Sequence, residues 1–330
     1  MNKNILCCDW GTSSFRLRLV DVSDYRVIAE HLSSEGVAAT FSSWQAAGSD
    51  DRFNFYASKL LSAISQLSQD QNINLSGIPV IVSGMASSSI GMEEIPYAMV
   101  PFSLDGSSMS SRVIENFNCN GGSLIIVSGV KTSDDVMRGE EAQLIGLLSL
   151  DEAPGADGEK SIFVFPGTHS KHMMVNGGIM TGFKTYMTGE IFNIMSQHSI
   201  LKDSIKVSSN LTDPGNQDAF AKGVEHSGVS NVLNTLFSVR TNQLFSKYSR
   251  EQNSLFLSGL LIGTELRELK KDNFGKLIIC SGKHLYEHYR IAAGILDLAK
   301  NITFIQPELI DKATIAGQVR IFNSVSKFNE

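Results

Sequence analysis

The chain has 330 residues, 42% of them hydrophobic, enough to fill two cores and too much for one average domain. Its formal net charge is −6 at pH 7 and its positive residues form no run, which argues against a nucleic-acid surface and points to small-molecule partners. No segment is long enough to span a bilayer, so no membrane partner is expected. Residues Met1 to Asp9 lack the basic region and long apolar stretch of a signal peptide. The four cysteines are scattered, and Cys7 and Cys8, adjacent in a strand-like stretch, read as reduced core thiols. A cytoplasmic location is expected; the oligomeric state is left open, a homodimer included.

Asn4 to Asp9 is apolar and strand-like, Gly11-Thr12-Ser13-Ser14 reads as a tight turn, and Phe15, Leu17 and Leu19 alternate with Arg16 and Arg18 in a returning strand. Leu60, Leu61, Ile64 and Leu67 fall at helical spacing, and Pro79 to Val82 forms a buried strand ending at Ser83-Gly84. The serine-rich stretch Ser103 to Ser111 reads as a solvated loop. Leu124 to Val127 is a third apolar strand, and Glu140 to Leu150 reads as a helix. The stretch Asp151 to Lys160 has linker composition, which bounds a first domain at residues 1–150.

Beyond it, Ile162 to Phe165 is a strand followed by Gly167-Thr168-His169-Ser170, then by Met173 to Val175 and a Gly177-Gly178 turn. This repeats the opening hairpin, so the two halves read as pseudo-duplicates. Helical stretches follow at Phe220 to Phe245 and Ser254 to Leu269, then a strand, Leu277 to Cys280, ending at Ser281-Gly282. The second domain is expected over 160–310. A last helix, Asp311 to Phe322, lies in the remaining segment, 311–330.

Glycine with small hydroxyl residues at a hairpin tip lets the backbone approach a polyanion and offers donors to phosphate oxygens. Gly11, Thr12 and Ser13 form one such tip, and Gly167, Thr168 and His169 the other. Only the first has an acid at its strand end: Asp9, where the second has Phe165. One carboxylate near phosphates suits a magnesium ion, which keeps most of its waters, although a turn-capping role would also explain Asp9. Neither a P-loop nor a G-x-G-x-x-G motif is present.

The loop Lys131 to Gly139 leads into Glu140 and Glu141 at a helix N-terminus. The helix dipole alone would favour acids there, yet a base at a strand end is also what phosphoryl transfer to a hydroxyl requires. Helical phase places Glu141 with Leu144, Ile145 and Leu148, and Glu140 with Leu144 and Leu147, so phase does not choose; Asp134 and Asp135 are weaker candidates. His169 and His172 have H-x-x-H spacing, but in a hairpin that spacing is not the single face of a helix, which disfavours zinc and leaves His169 as a donor to phosphate or substrate. Ser281 and Gly282 could pack the backbone against an adenine ring.

Asp9-Trp10-Gly11-Thr12, Arg138-Gly139-Glu140-Glu141, Pro166-Gly167-Thr168-His169-Ser170-Lys171, Met187-Thr188-Gly189-Glu190 and Ser258-Gly259-Leu260-Leu261-Ile262-Gly263 together resemble the 2-dehydro-3-deoxygalactonokinase family, in its order and over nearly the whole chain. The resemblance implies a two-domain α/β actin-like ATPase fold of the ribonuclease H-like type, with ATP in a cleft between the domains. It implies transfer of the ATP γ-phosphate to the 6-hydroxyl of 2-dehydro-3-deoxy-D-galactonate, with Asp9 as the magnesium-associated acid and Glu140 or Glu141 in the place of the base, where related sugar kinases use aspartate. Residues Ala313 to Gly317 look like the small-residue connection that returns the last helix to the first domain. Positive or hydroxyl groups for the substrate carboxylate are Arg138, Lys171, Ser88 and Thr188, with Arg138 favoured for its bidentate fork. Ser87 stands where the family has glycine and Met92 where it has tryptophan, which leaves a related 2-keto-3-deoxy sugar acid open as substrate. An actin-like phosphatase or ATPase, and a non-catalytic actin-like sensor, are the competing readings.

Overall fold

The computed structural model describes residues 3–118, 121–150, 160–272, 274–298 and 302–328. The chain divides into two compact units: unit 1 is Met1–Ala156, Gly178–Gly182 and Leu309–Glu330, and unit 2 is Asp157–Gly177 and Phe183–Glu308. Of the expected linker, all but Lys160 lies outside the described residues.

Unit 1 opens with β1 (Asn4–Trp10), β2 (Phe15–Asp21) and β3 (Val27–Ser33), each antiparallel to the one before. Phe15, Leu17 and Leu19 are buried while Arg16 is exposed, the period-two pattern of a sheet with one covered face. After α1 (Val37–Ala47) and α2 (Arg52–Gln71), β4 (Val80–Gly84) runs parallel to β1. Two short strands follow, β5 (Ala98–Met99) and β6 (Phe102–Ser103), then β7 (Ser111–Asn118) and β8 (Gly122–Val127), the latter parallel to β4. β9 (Val130–Lys131) and β10 (Val136–Met137) then lead into α3 (Glu140–Ser149). Trp10, Phe15, Tyr56, Leu60 and Ile64 centre the core on one face of this sheet, where Trp10 meets Phe15 edge-on at 4.9 Å.

Unit 2 repeats the plan. Strands β11 (Ser161–Phe165) and β12 (Ser170–Asn176) pair antiparallel, and β13 (Ile179–Tyr186) continues through a Gly177-Gly178 turn whose φ values of 58° and 76° suit glycine. The helices are α4 (Thr188–His198), α5 (Pro214–His226), α6 (Val232–Leu236), α7 (Ser238–Leu244) and α8 (Arg250–Arg267). Then come β14 (Lys276–Ile279), α9 (Lys283–Ile295) and β15 (Ile302–Phe304). The order β15-β14-β11-β12-β13 matches β8-β4-β1-β2-β3 of unit 1, with the same directions, which is the ribonuclease H-like order of an actin-like domain. The helix expected over Phe220 to Phe245 is three helices: α5 stops at His226 before Ser227-Gly228, and the Asn231 side chain accepts the Leu233 N–H to start α6.

The last helix, α10 (Pro307–Phe328), packs on α3 of unit 1 through glycines. A side chain on Gly146 would overlap the Ala313 carbonyl, and one on Gly317 would overlap the Ala142 carbonyl. Gln143 Nε2 donates to Thr314 Oγ1 at 3.1 Å in the same contact. Among the described residues no helix is long and apolar enough to cross a membrane. Gly317→Ala places a methyl group on a backbone carbonyl and is expected to destabilise unit 1 by about 3 kcal/mol in urea denaturation. Gly294→Ala, with open space around its Cβ, is expected to change stability by less than about 1 kcal/mol.

Candidate active site

Asp9 ends β1 of unit 1, level with Arg16 on β2 and Ser83 on β4. Its Oδ2 accepts from Arg16 Nη1 at 3.2 Å; burial pushes its carboxyl above the usual range, and Arg16 and Arg18 pull it back. Gly84 is the last residue of β4, with φ 87°, and a Cβ there would lie 2.9 Å from the Trp10 carbonyl and 3.4 Å from Asp9 Oδ1. Gly139, with φ 111°, comes against Gly84 in turn, its Cβ position 3.6 Å from the Gly84 Cα. Two glycines therefore bring the start of α3, and with it Glu140 and Glu141, to the strand end that carries Asp9.

The two acids are then separated by their surroundings. Glu141 is wholly buried, and both its oxygens lie 2.8 Å from the Gly139 N–H. Burial, and next the charge of Glu140, push its carboxyl up to about 8, so it holds its proton at neutral pH. Glu140 stays half-buried. Asp134 and Asp135 belong to the turn between β9 and β10, where both their N–H groups donate to Thr132 Oγ1.

Arg138 donates through Nη1 to Ser87 Oγ at 2.6 Å and through Nη2 to the Ile95 carbonyl at 3.2 Å, and it lies 3.9 Å over the Tyr97 ring. Ser88 Oγ, buried, donates to the Met85 carbonyl at 2.7 Å. Of the two departures from the family pattern, Ser87 is the partner of Arg138, while Met92 packs in the unit 1 core. Behind Asp9, Gln318 of α10 donates to the Cys8 carbonyl at 2.8 Å and to Ser83 Oγ at 2.9 Å.

Both glycine-hydroxyl hairpins are docked on the N-terminus of a helix in their own unit. In unit 1 the Gly11 carbonyl accepts from Val37 N–H at 2.9 Å and the Thr12 carbonyl from Ala38 N–H at 3.1 Å, an approach that only a glycine at position 36 permits. In unit 2 the Thr168 carbonyl accepts from Glu190 N–H at 3.0 Å, and a Cβ on Gly189 would lie 2.6 Å from the Gly167 carbonyl. In a trans peptide the N–H of the next residue points opposite to the carbonyl. Turning these carbonyls to the helix therefore directs the N–H groups of Thr12, Ser13 and His169 the other way, as an anion site requires.

The unit 2 hairpin borders a cavity of about 300 Å³. Gly167, Thr168, Thr188 and Gly189 line one part of it, and Leu261, Ile262, Leu285 and His288 another. Burial lowers the pKa of His288, which keeps it neutral at pH 7. Thr188, expected near the sugar acid, thus stands in the cavity beside the second hairpin. Ser281 and Gly282 do not line it; Gly282 precedes α9, whose His284, Leu285, His288 and Tyr289 do. His169 pairs with Glu190, Lys171 is buried with Nζ 3.1 Å from the His169 carbonyl, and His172 is buried against Glu265. Glu265 and Tyr289 were not singled out by sequence reasoning. The signal for Glu265 was available: it lies four residues after Leu261 and eight after Leu257, an acid in phase with an apolar helix face.

A family model described as 2-keto-3-deoxy-galactonokinase matches residues 9–321. The chain belongs to this family. It is 35% identical over 197 residues to the 2-dehydro-3-deoxygalactonokinase of Escherichia coli (strain K12), an alignment covering 58% of the chain and 61% of that relative. It is 31% identical over 264 residues to a candidate 2-dehydro-3-deoxygalactonokinase, DgoK1, of Rhizobium meliloti (strain 1021), covering 78% of each. The crystal structure of a candidate 2-dehydro-3-deoxygalactonokinase from Sinorhizobium meliloti superposes with a TM-score of 0.74 at 25% identity, over 96% of this chain and 99% of that one. Two of the motifs that carried the family resemblance now have physical roles. Met187 to Glu190 starts the helix on which the second hairpin docks, and Gly259 lets α8 press on the Phe220 carbonyl of α5.

The buried proton of Glu141 has a thermodynamic consequence. Above its ordinary pKa of 4.5 the unfolded chain releases this proton while the native state keeps it up to about pH 8. Stability conferred by the bound proton is therefore complete below about pH 4.5 and is lost as pH rises toward 8. Glu141→Gln is expected to flatten the decline in urea midpoint between pH 5 and pH 8; equal slopes in variant and wild type would contradict a neutral Glu141.

Proposed function

We propose that the chain is an ATP-dependent kinase that transfers the γ-phosphoryl group to the 6-hydroxyl of 2-dehydro-3-deoxygalactonate. The observation that supports this most directly is the meeting of Asp9 with the start of α3 through Gly84 and Gly139, beside a hairpin whose amides face outward. In the reaction the substrate hydroxyl oxygen bonds to the γ-phosphorus, the bond from that phosphorus to the bridging oxygen breaks, and ADP leaves. Glu140 takes the hydroxyl proton, because it is only half-buried where Glu141 is wholly buried and neutral. Glu141 holds the Gly139 N–H and so the backbone that aims Glu140.

Asp9 fits the hold on a hydrated magnesium ion: its side chain is 20% exposed, with Oδ2 on Arg16 and Oδ1 beside the glycine strand end. When bound, that ion neutralises charge on the β- and γ-phosphates. Each hairpin by itself offers outward amides suited to phosphate oxygens, and the unit 2 cavity, with its neutral His288 and apolar wall, suits the nucleoside. Arg138 keeps N–H groups beyond the two that bond Ser87 and Ile95, and these receive the sugar-acid carboxylate. A related 2-keto-3-deoxy sugar acid is the second reading, carried by Ser87, which ties down Arg138 where the family has glycine. The buried free thiols Cys7, Cys8 and Cys280 suit the cytoplasm.

A panel of sugar acids incubated with ATP and magnesium tests the reading. ADP release that depends on a 2-keto-3-deoxy sugar acid is expected, and equal ATP consumption without any sugar would identify a hydrolase instead. The assignment of the base is checked by two variants in the same assay: Glu140→Gln is expected to lose roughly 10²-fold or more in kcat, and Glu141→Gln less than about tenfold.

A further inference from the structure

Inside unit 2 a chain of hydrogen bonds ends on one buried carboxylate that the reaction described above does not use. Glu265, on α8, is 2% exposed. His172 Nε2 lies 2.9 Å from its Oε1, Tyr289 OH donates to its Oε2 at 2.8 Å, and Thr188 Oγ1 donates to the same oxygen. Among the described residues no lysine or arginine pairs with it. A buried acid of this kind is tolerated where hydrogen bonds replace its water, and three donors converging on two oxygens match the ionised form, which accepts only. His172 fits this arrangement: its Nε2 is the ring nitrogen that faces the acid, where an N–H donates to Oε1.

The direction of every hydrogen in the chain follows. Tyr289 has one hydroxyl proton, committed to Glu265, so toward Ser170 Oγ, 3.2 Å away, its oxygen accepts. The Ser170 proton is thereby committed to Tyr289, and its oxygen accepts the Gly167 N–H at 3.3 Å. Thr188 likewise gives its proton to Glu265, so in the cavity that Thr188 lines its hydroxyl oxygen is left to accept. One acid on α8 thus orders β12, the start of α4, α9 and the backbone of the second hairpin.

We propose that Glu265 is a positioning residue for the nucleotide: it holds the Gly167–Ser170 turn and presents Thr188 to the cavity as a hydrogen-bond acceptor, selecting a ligand N–H or O–H at that place and disfavouring a phosphate oxygen. This rests on the reading of the cavity as the nucleoside site. The Gly167 N–H is engaged within the turn, so phosphate is left to the amides that point away from the helix.

The test is titration calorimetry with ADP, paired with steady-state kinetics, on the full chain and on Glu265→Gln, Thr188→Val, Thr188→Ser and the double variant Glu265→Gln/Thr188→Val. Glutamine has one acceptor oxygen and brings a competing N–H₂, so Glu265→Gln is expected to weaken ADP binding and raise KM for ATP about tenfold or more. KM for the sugar acid is expected to stay within about twofold, a split that general loosening of the fold does not produce. Thr188→Val is expected to weaken ADP binding to a similar degree, Thr188→Ser to restore it, and the double variant to bind no worse than Glu265→Gln. Additive losses in the double variant, or equal losses with serine and valine, would overturn the proposal, and the serine–valine comparison decides it even where Glu265→Gln does not fold. A wild type that binds no ADP overturns the nucleotide reading along with this one; unchanged ADP binding by Glu265→Gln overturns this one alone.

Discussion

A hairpin tip can serve an anion only if something else holds its carbonyls, and in both units that something is the unpaired start of a helix. The first N–H groups of a helix lack partners within it. Here Val37, Ala38 and Glu190 find theirs in the carbonyls of Gly11, Thr12 and Thr168. The distance closes only because Gly36 and Gly189 have no side chain. Swinging either tip would leave those donors unpaired, so each tip is tied to the helix below it. Preorganised amides of that kind bind charge without first having to be ordered.

The same device, a glycine laid on a backbone carbonyl, recurs wherever two helices must meet closely. Gly146 and Gly317 join α3 to α10 in unit 1, and Gly223 and Gly259 join α5 to α8 in unit 2. The consequence for the site is positional. α3 carries Glu140 and Glu141 at its first turn, and α8 carries Glu265 near its last, so the depth at which each helix packs sets where its acid lies.

The hairpins and the helix before β4 were legible because they rest on local patterns: Phe15, Leu17 and Leu19 alternate, and Leu60, Ile64 and Leu67 recur at helical spacing. The choice between Glu140 and Glu141 was not, since both share a side with leucines. What the structure adds is a difference in surroundings: the positive φ of Gly139 turns the backbone back so that its N–H reaches Glu141. Thr188 belongs with the unit 2 cavity because Glu265, seventy-seven residues later, draws its hydroxyl, and no window on the sequence contains both. Ser281 and Gly282 follow β14, and it is the first turns of α9 after them that line the cavity. Helical pattern ran on through Ser227-Gly228 because periodicity does not register where a helix loses its last partner.

Gln318 ties β1 to β4 directly behind Asp9, although 310 residues separate it from the Cys8 carbonyl it holds. On a ribosome the chain emerges from its N-terminus, so the sheet bearing Asp9 is made well before its fastener. Through the whole synthesis of unit 2 the strand ends of unit 1 wait without α10, and Gly146 without the helix that covers it. Both segments of unit 2, Asp157–Gly177 and Phe183–Glu308, precede Leu309. The half made second is the first that can be finished, and the Asp9 end of the first half is assembled only once α10 has been made.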